Sequence, residues 1–255
     1  MTLDFSFLIK TFWLCLKALP VTFEITIVSL LLAFIPSILI ALCRIHHIPI
    51  LDIICRIFVS FIRGTPIVLQ ILIVYSILPS QLNSIVKALD WKIKVFEINP
   101  IFYAFVVFGI NSTATLSEVF RSAISAVEKG QFEAALSIGE KPFYAFIRII
   151  LPQAILSALP NICNLTVILI KNTSLAFMMT VREITAVAKI EAAYGYNYLE
   201  AYIDIFVIYI IIGLLVQWLF RRFEGRVLFK GVRAVKNRGF AQKKAYGHKF
   251  IGLRG

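Results

Sequence analysis

The sequence EAALSIGEKPFYAFIRIILP, residues 133–152, is a polar interruption in a chain whose other long segments are apolar. Its distinctive positions begin with Glu133-Ala134-Ala135. Three residues separate Ala135 from Gly139, nine separate Gly139 from Ile149, and Leu151-Pro152 close the stretch. Around its start, Phe132, Ala135, Leu136 and Gly139 recur at i, i+3, i+4 and i+7, the spacing of one helical face. This pattern predicts a short amphipathic helix that lies across a membrane surface.

The end of that helix is predicted from two residues. Gly139 suits a helix C-terminus because the left-handed conformation costs glycine least. Pro142 then prevents simple continuation, and a new apolar helix is predicted from residue 143, broken or kinked at Pro152. The helix either docks in a groove on a partner protein or lies on lipid alone, and its spacing does not decide between these interpretations.

Composition places the chain in a bilayer. Of its 255 residues 60% are hydrophobic and 16% are charged, whereas soluble domains average about 25% charged residues. A spanning helix needs about 20 mostly apolar residues. Five segments qualify, which predicts an all-α membrane protein with about five transmembrane helices, the amphipathic helix lying between the third and the fourth. The predicted spans are 21–43, 57–78, 99–119, 155–178 and 202–220.

Basic residues set the predicted orientation, because Lys and Arg accumulate on the cytoplasmic side. With an external N-terminus, eight of the 26 basic residues fall outside and the remaining 18 inside. We therefore expect an external segment at 1–20, a transmembrane domain at 21–222 with its cytoplasmic coupling region at 121–152, and a basic, mobile cytoplasmic tail at 223–255. The tail is expected to lie against anionic lipid.

Several other functions are disfavoured by the sequence. The basic charge is divided among loops between spans, so we expect no nucleic-acid partner. The adjacent His46 and His47 lack other ligands at metal spacing, and the four cysteines occur singly. No Ser/His/Asp set or HExxH motif suggests catalysis. The dipeptide Gly-Lys is missing, so the chain has no phosphate loop for ATP and is expected to bind no cofactor itself.

Polar groups inside apolar segments are the candidates for a solute path, because such groups are costly in lipid and usually face a cavity. Asparagines, a glutamate and the ends of a broken helix suit the ammonium and carboxylate of an amino acid. The alternative is that they bond between helices for packing, and Glu118 is also near enough to pair with Arg121. The candidates are Gly64, Thr65, Pro66, Asn111, Ser112, Thr115, Glu118, Asn161, Asn164 and Lys171.

The pattern EAA-x3-G-x9-I-x-LP at 133–152 resembles the coupling motif of the membrane subunits of bacterial ABC importers. Further stretches are similar to the polar amino acid permease subfamily, over roughly residues 15–225. These are Arg63-Gly64-Thr65-Pro66 with Gln70, Tyr75 and Leu78-Pro79, then Leu116-Ser117-Glu118-Val119-Phe120-Arg121, Lys129-Gly130-Gln131, and Lys171-Asn172-Thr173-Ser174-Leu175. Two positions depart from the family: Ser122-Ala123 replaces the usual Gly, and Asn172 stands where Asp is common.

The resemblance implies a permease subunit in the bacterial inner membrane, with the ATPase-coupling residues Glu133, Ala134, Ala135, Gly139, Pro142, Ile149, Leu151 and Pro152. A cytoplasmic ATPase dimer would dock there and hold ATP and Mg. A second permease copy or paralogue and an external solute-binding protein would complete the importer. The segment 194–200 weakly resembles cystine-type permeases, and basic amino acids and glutamine stay open. The alternative function is an ATP-independent amino acid carrier or another membrane protein with an interfacial helix.

Overall fold

The structure is a computed structural model that describes residues 3–251, with side chains described as far as Gly225. Ten α-helices follow one another, joined by two 3₁₀ turns (Val95–Glu97 and Thr173–Met179) and one π-helical segment (Phe146–Ile150). The α-helices are α1 (Phe5–Lys17), α2 (Leu19–Ile45), α3 (Leu51–Gly64), α4 (Ile67–Ala88), α5 (Ile101–Ser125), α6 (Lys129–Ser137), α7 (Pro142–Ala145), α8 (Leu151–Asn172), α9 (Ile184–Gly195) and α10 (Tyr198–Ile251).

Among residues 3–225, four helical stretches are long and apolar enough to cross a membrane: Phe5–Ile45, Ile67–Ala88, Pro142–Met179 and Tyr198–Gly225. Helix α5 is not among them, because residues such as Asn111 and Ser112 lower its hydropathy. Its 25 residues would nevertheless extend about 37 Å, enough to cross. The predicted all-α membrane fold is confirmed.

The predicted second span, 57–78, is wrong as a single helix. The chain breaks between α3 and α4, where Thr65 is extended (φ −109°, ψ 142°). Pro66 causes this break, because a proline disfavours the α conformation in the residue before it and has no N–H to donate. The spanning helix is α4, which continues to Ala88.

The other predicted spans correspond to helices with shifted ends. The first and third match α2 and α5, and the last lies within α10. The fourth, 155–178, combines most of α8 with the 3₁₀ turn that follows it. The predicted tail at 223–255 lies outside the residues with described side chains, apart from 223–225, and stays a prediction.

Helix α5 is the centre of the bundle and packs against α2, α3, α4 and α8. Small residues allow the close approach of α2, since Ala33 and Ala104 are fully buried and a Cβ at Gly109 would lie 3.7 Å from Leu32 Cβ. Close packing of small residues is the usual basis of helix association in membranes. A second core forms where α1 lies against α9 and α10, around buried Cys15 and Ala188.

Candidate coupling and solute-path sites

Helix α6 is the predicted amphipathic helix, and its C-terminus has the predicted glycine geometry. Gly139 has φ +86°, the left-handed conformation that favours glycine. The Gly139 N–H donates to Leu136 O at 2.9 Å, and the Glu140 N–H donates to Ala135 O at 3.1 Å. These two bonds form a Schellman motif, which turns the chain sharply out of α6 toward Pro142.

The two faces of α6 have different surroundings. Ala135 is buried against its own chain, with 4% of its surface exposed, so it is not available to a partner. Glu133 and Ala134 are exposed. The segment that follows also exposes large apolar side chains, including Ile138 (85% exposed) and Phe143 (68% exposed). An exposed apolar patch beside a charge is typical of a protein interaction site.

Two side-chain bridges tie this region to α8 and to its own exit segment. Gln153 Nε2, on α8, donates to Gln131 Oε1 of α6 at 2.6 Å. Beyond the Schellman turn, Arg148 donates to Glu140 at 3.0 Å and lies over the ring of Tyr144. The sequence did not reveal the Gln131–Gln153 bridge, because its ends are 22 residues apart on different helices. The Gln131–Gln153 bond therefore links α6 directly to α8.

The two prolines predicted to shape the exit from α6 lie in the first turns of α7 and α8. Pro142 occupies the first turn of α7, where its missing N–H costs nothing. The segment Phe146–Ile150 is π-helical and directly precedes Pro152 in the first turn of α8. A proline cannot donate to the carbonyl four residues earlier, and a widened turn accommodates that missing bond. Ile149 and Leu151 are half-buried in this region.

The break at Gly64, Thr65 and Pro66 is stabilised by Gln70, one turn into α4. Gln70 Nε2 lies 2.8 Å from Ile62 O, 3.2 Å from Thr65 O and 2.8 Å from Thr65 Oγ1. The amide thus serves carbonyls that α3 leaves without a helical donor. Its oxygen accepts a bond of 3.2 Å from Asn111 Nδ2 of α5. The broken helix and Asn111, two of the predicted path elements, are brought together.

The remaining candidates on α5 have different partners. Thr115 Oγ1 donates to Asn111 O of its own helix at 3.1 Å. Glu118 binds Arg121 at 2.9 Å, which is the pairing that the sequence allowed. It also forms an ion pair with Arg44 of α2, which was not foreseen. Because the Arg44 and Glu118 side chains are only 15% and 18% exposed, this pair fastens α2 to α5 more than it offers a free charge.

The candidates on α8 lie elsewhere. Asn161, Asn164 and Lys171 are exposed. Asn164 lines a cavity of about 320 Å³ together with Arg221 of α10, whereas Lys171 lines one of about 520 Å³. Within the described residues no hydrogen bond joins these three to the Gln70–Asn111 bridge. The predicted path residues therefore form two separate groups.

A cavity of about 1010 Å³ lies between α2, α4, the turn at 95–97 and the segment after the 3₁₀ turn. Its lining includes Glu24, Tyr75, Asn99, Tyr103, Thr180 and Arg182. None of these residues is among the predicted solute-path candidates, although Tyr75 belongs to one of the stretches that resemble the polar amino acid permease subfamily. The available signal was a lone acid near the start of an otherwise apolar helix, at Glu24.

Glu183 is a buried acid that the sequence analysis also missed. It caps α9, since its carboxylate accepts the N–H groups of Thr185 and Ala186, both at 2.8 Å. Tyr209 of α10 donates its hydroxyl to the same carboxylate at 3.0 Å. Burial raises the pKa of Glu183 to about 7, although these hydrogen bonds oppose the shift. The residue joins α9 to α10, next in sequence to Arg182 of the cavity lining.

The described chain is an all-helical bundle, and several of its helices are long and apolar enough to cross a membrane. A short exposed helix, α6, lies between two of the long helices in sequence, and a polar bridge joins Gln70 to Asn111 inside the bundle. These features fit a membrane component of a transport system. The chain belongs to the family of binding-protein-dependent transport system inner membrane components, whose sequence model matches residues 33–229. The resemblance seen at residues 133–152 is thereby confirmed.

Relatives agree with this assignment. The chain is 35% identical over 217 residues to the L-cystine transport system permease protein TcyL of Bacillus subtilis, covering 85% of this chain and 88% of the relative. It is 32% identical over 228 residues to the arginine transport system permease protein ArtQ of the same organism, covering 89% and 98%. A crystal structure of an amino acid ABC transporter with histidines matches with a TM-score of 0.74 and 28% identity, covering 89% of this chain and all of that one.

Proposed function

We propose that this chain is the membrane subunit of an ABC importer that carries a polar amino acid across a bacterial cytoplasmic membrane. A cytoplasmic ATPase dimer would supply the energy, with ATP and Mg bound to that partner. A second permease copy or paralogue would complete the path, and an external solute-binding protein would deliver the solute. The relatives named for cystine and for arginine support an amino acid and leave its side chain open.

The observation that carries this proposal is the surface of α6. Glu133 is an exposed acid, and large exposed apolar side chains follow it at Ile138 and Phe143. Helix α6 is bonded to α8 through Gln131 and Gln153. A partner that binds this surface would therefore contact a helix that is hydrogen-bonded to α8 of the bundle. ATP-driven closure of the partner would then favour one of two packings of the bundle over the other.

The exposed polar face of α8 supports the second permease. Asn161, Asn164 and Lys171 are costly in lipid, and α8 is a membrane-crossing stretch. A second permease packed on this face would enclose them along a shared path. The Gln70–Asn111 bridge would line the same path from within one subunit, with amide groups that suit a zwitterion.

The proposed orientation has the N-terminus outside and the C-terminus inside, which puts α6 in the cytoplasm beside the ATPase. Its support is the excess of Lys and Arg in the loops of that side. A cysteine-accessibility experiment checks it: Glu133→Cys is expected to react only with a membrane-permeant maleimide, and Lys92→Cys with an impermeant one. The reverse pattern would overturn the orientation.

Copurification tests the function itself. The chain is expressed with a candidate ATPase subunit from the same organism, and ATP-dependent amino acid uptake is measured in proteoliposomes. Glu133→Lys, an exposed charge reversal, is expected to weaken ATPase retention, whereas the control Lys92→Glu on the opposite side leaves it unchanged. ATPase retention and uptake that survive Glu133→Lys and removal of the Ile138 and Phe143 side chains would refute docking at α6. Uptake by the chain alone would instead indicate a carrier.

A further inference from the structure

We infer that the cavity of about 1010 Å³ beside Glu24 and Arg182 is a receiving site for a free amino acid before it reaches the Gln70–Asn111 bridge. Glu24 binds the α-ammonium group and Arg182 binds the α-carboxylate. This inference rests on the proposed function, which it deepens by naming where and through which groups the solute first binds this subunit.

The charges of the cavity match a zwitterion. Glu97 also lines it, but its carboxylate is paired with Lys94 at 2.8 Å. Glu24 and Arg182 are exposed and form no ion pair within residues 3–225. The cavity therefore presents one anionic and one cationic side chain, from α2 and from the loop before α9. An α-amino acid carries the complementary pair, and complementary charges give a site its specificity.

Neutral polar groups complete the lining. Tyr75 OH lies 3.3 Å from Thr180 Oγ1, and the Tyr75 ring packs edge-on against that of Tyr103. Asn99 Oδ1 accepts the Ile101 N–H at 3.0 Å, while its amide NH₂ has no partner among the described residues. A few polar groups that converge on an aromatic wall are the usual composition of a small-molecule site.

The backbone at the cavity is also unusual. Thr180 has φ +61°, a left-handed conformation that is rare for a β-branched residue. It is held by the bond from the Thr180 N–H to Phe177 O at 2.9 Å. Such conformations cluster at ligand sites. Here the turn directs the chain from the end of the 3₁₀ segment to Arg182, two residues further on.

The position of the cavity fits the start of a path. Tyr75 is five residues beyond Gln70 on α4, or about 7.5 Å along the helix axis. Tyr103 precedes Asn111 on α5 by eight residues, or about 12 Å. The same two helices thus carry the cavity and, one to two turns deeper, the Gln70–Asn111 bridge. A solute released from the cavity would meet those amides next.

The test measures amino acid binding to the purified ATPase-containing complex in detergent without the solute-binding protein. Tritiated L-cystine, L-arginine and L-glutamine are the probes, and the one that the wild type transports is used. Glu24→Gln and Arg182→Gln are expected to raise Kd about tenfold or more, because each removes one side of a charge pair. Asp90→Asn and Lys92→Gln, which remove the same charges nearby but outside the cavity, are the matched controls.

Competition with modified amino acids makes the assignment specific. The wild type is expected to reject the N-acetyl derivative, which lacks the ammonium, and the carboxamide derivative, which lacks the carboxylate. Glu24→Gln should lose discrimination against the first, and Arg182→Gln against the second. Such a pairwise exchange is not produced by a general loss of folding.

The outcomes separate the inference from the proposed function. Wild-type Kd values in both variants, or no binding by the wild-type complex while uptake proceeds, would overturn the inference alone. Normal binding in variants that no longer respond to the solute-binding protein would also overturn it, since the charges would then contact that protein. A wild-type complex that imports no amino acid with ATP would refute the proposed function.

Discussion

A glycine at position 139 is predicted to be essential for coupling, for a reason of backbone geometry alone. No heavy atom lies within 4 Å of a Cβ built on Gly139, so a side chain there meets no obstacle. The left-handed conformation at φ +86° costs an ordinary residue about 1–2 kcal/mol. That cost lowers the population of the Schellman turn about 5- to 30-fold relative to its alternatives.

A series of substitutions turns this cost into a measurable order. Asparagine tolerates the left-handed conformation, alanine does not, and the β-branched valine is worst. The amount of solute carried per ATP hydrolysed, measured in proteoliposomes, should therefore fall in the order Asn, Ala, Val at Gly139. Membrane insertion should be unchanged because Gly139 is exposed, and the yield of folded protein measures it.

Gly130→Ala is the matched control. Gly130 lies within the first turn of the same helix, and a Cβ there would meet only Glu128 Oε1 at 3.9 Å. Alanine in a helix is more stable than glycine by about 0.5–1 kcal/mol, so coupling should be kept. Equal transport per ATP in Gly139→Val and the wild type would refute the role of the turn. An equal loss in Gly130→Ala would mean that α6 tolerates no change at all.

Three further predictions concern the bundle. Gln70→Leu should lower the free energy of unfolding by about 1–3 kcal/mol, because carbonyls at the end of α3 lose their donor. Thermal unfolding in detergent measures this loss, and an unchanged melting temperature would contradict it. Glu118→Ala should lower the free energy of unfolding by about 3–5 kcal/mol, since the largely buried guanidinium of Arg44 on α2 loses its carboxylate. Arg121→Gln removes a more exposed partner of Glu118 and should lower it by at most about 1 kcal/mol. Similar losses in both variants would contradict this difference. The raised pKa of Glu183 means that the folded state binds a proton that the unfolded state has released, so stability should fall as pH rises from 4.5 to about 7 and then level off. Melting temperatures across that range should lose this slope in Glu183→Gln, and a slope retained in that variant would show that another group is responsible.

Local signals allowed much of the fold to be predicted from the sequence. Long apolar runs located the helices, and the i, i+3, i+4, i+7 pattern with Gly139 located α6 and its left-handed end. The second span was drawn across Pro66 because its average hydropathy is high, although a broken helix at Gly64, Thr65 and Pro66 was also predicted. Pro66 interrupts hydrogen bonding without changing the average polarity of the residues around it, so one apolar run became two helices.

The sites were harder to predict because they depend on pairings between distant helices. Asn111 was singled out for being polar in an apolar segment, but its partner, Gln70, is 41 residues away. Glu118 was paired with its neighbour Arg121, and the contact with Arg44, 74 residues away, was invisible. Glu24 and Arg182 each look like ordinary residues at the end of a segment, and only the fold brings them to one cavity.

Because the segment Phe146–Ile150 is π-helical, the number of residues between α6 and α8 determines the direction in which α6 faces. A π segment corresponds to an α-helix with one residue inserted, and each α-helical residue turns the chain by about 100°. Deleting a single residue between Pro142 and Pro152 would restore regular helix and swing the exposed patch to another side of the protein, with almost no change in composition. The length of this segment, as much as its sequence, determines the direction in which α6 and its exposed apolar side chains face.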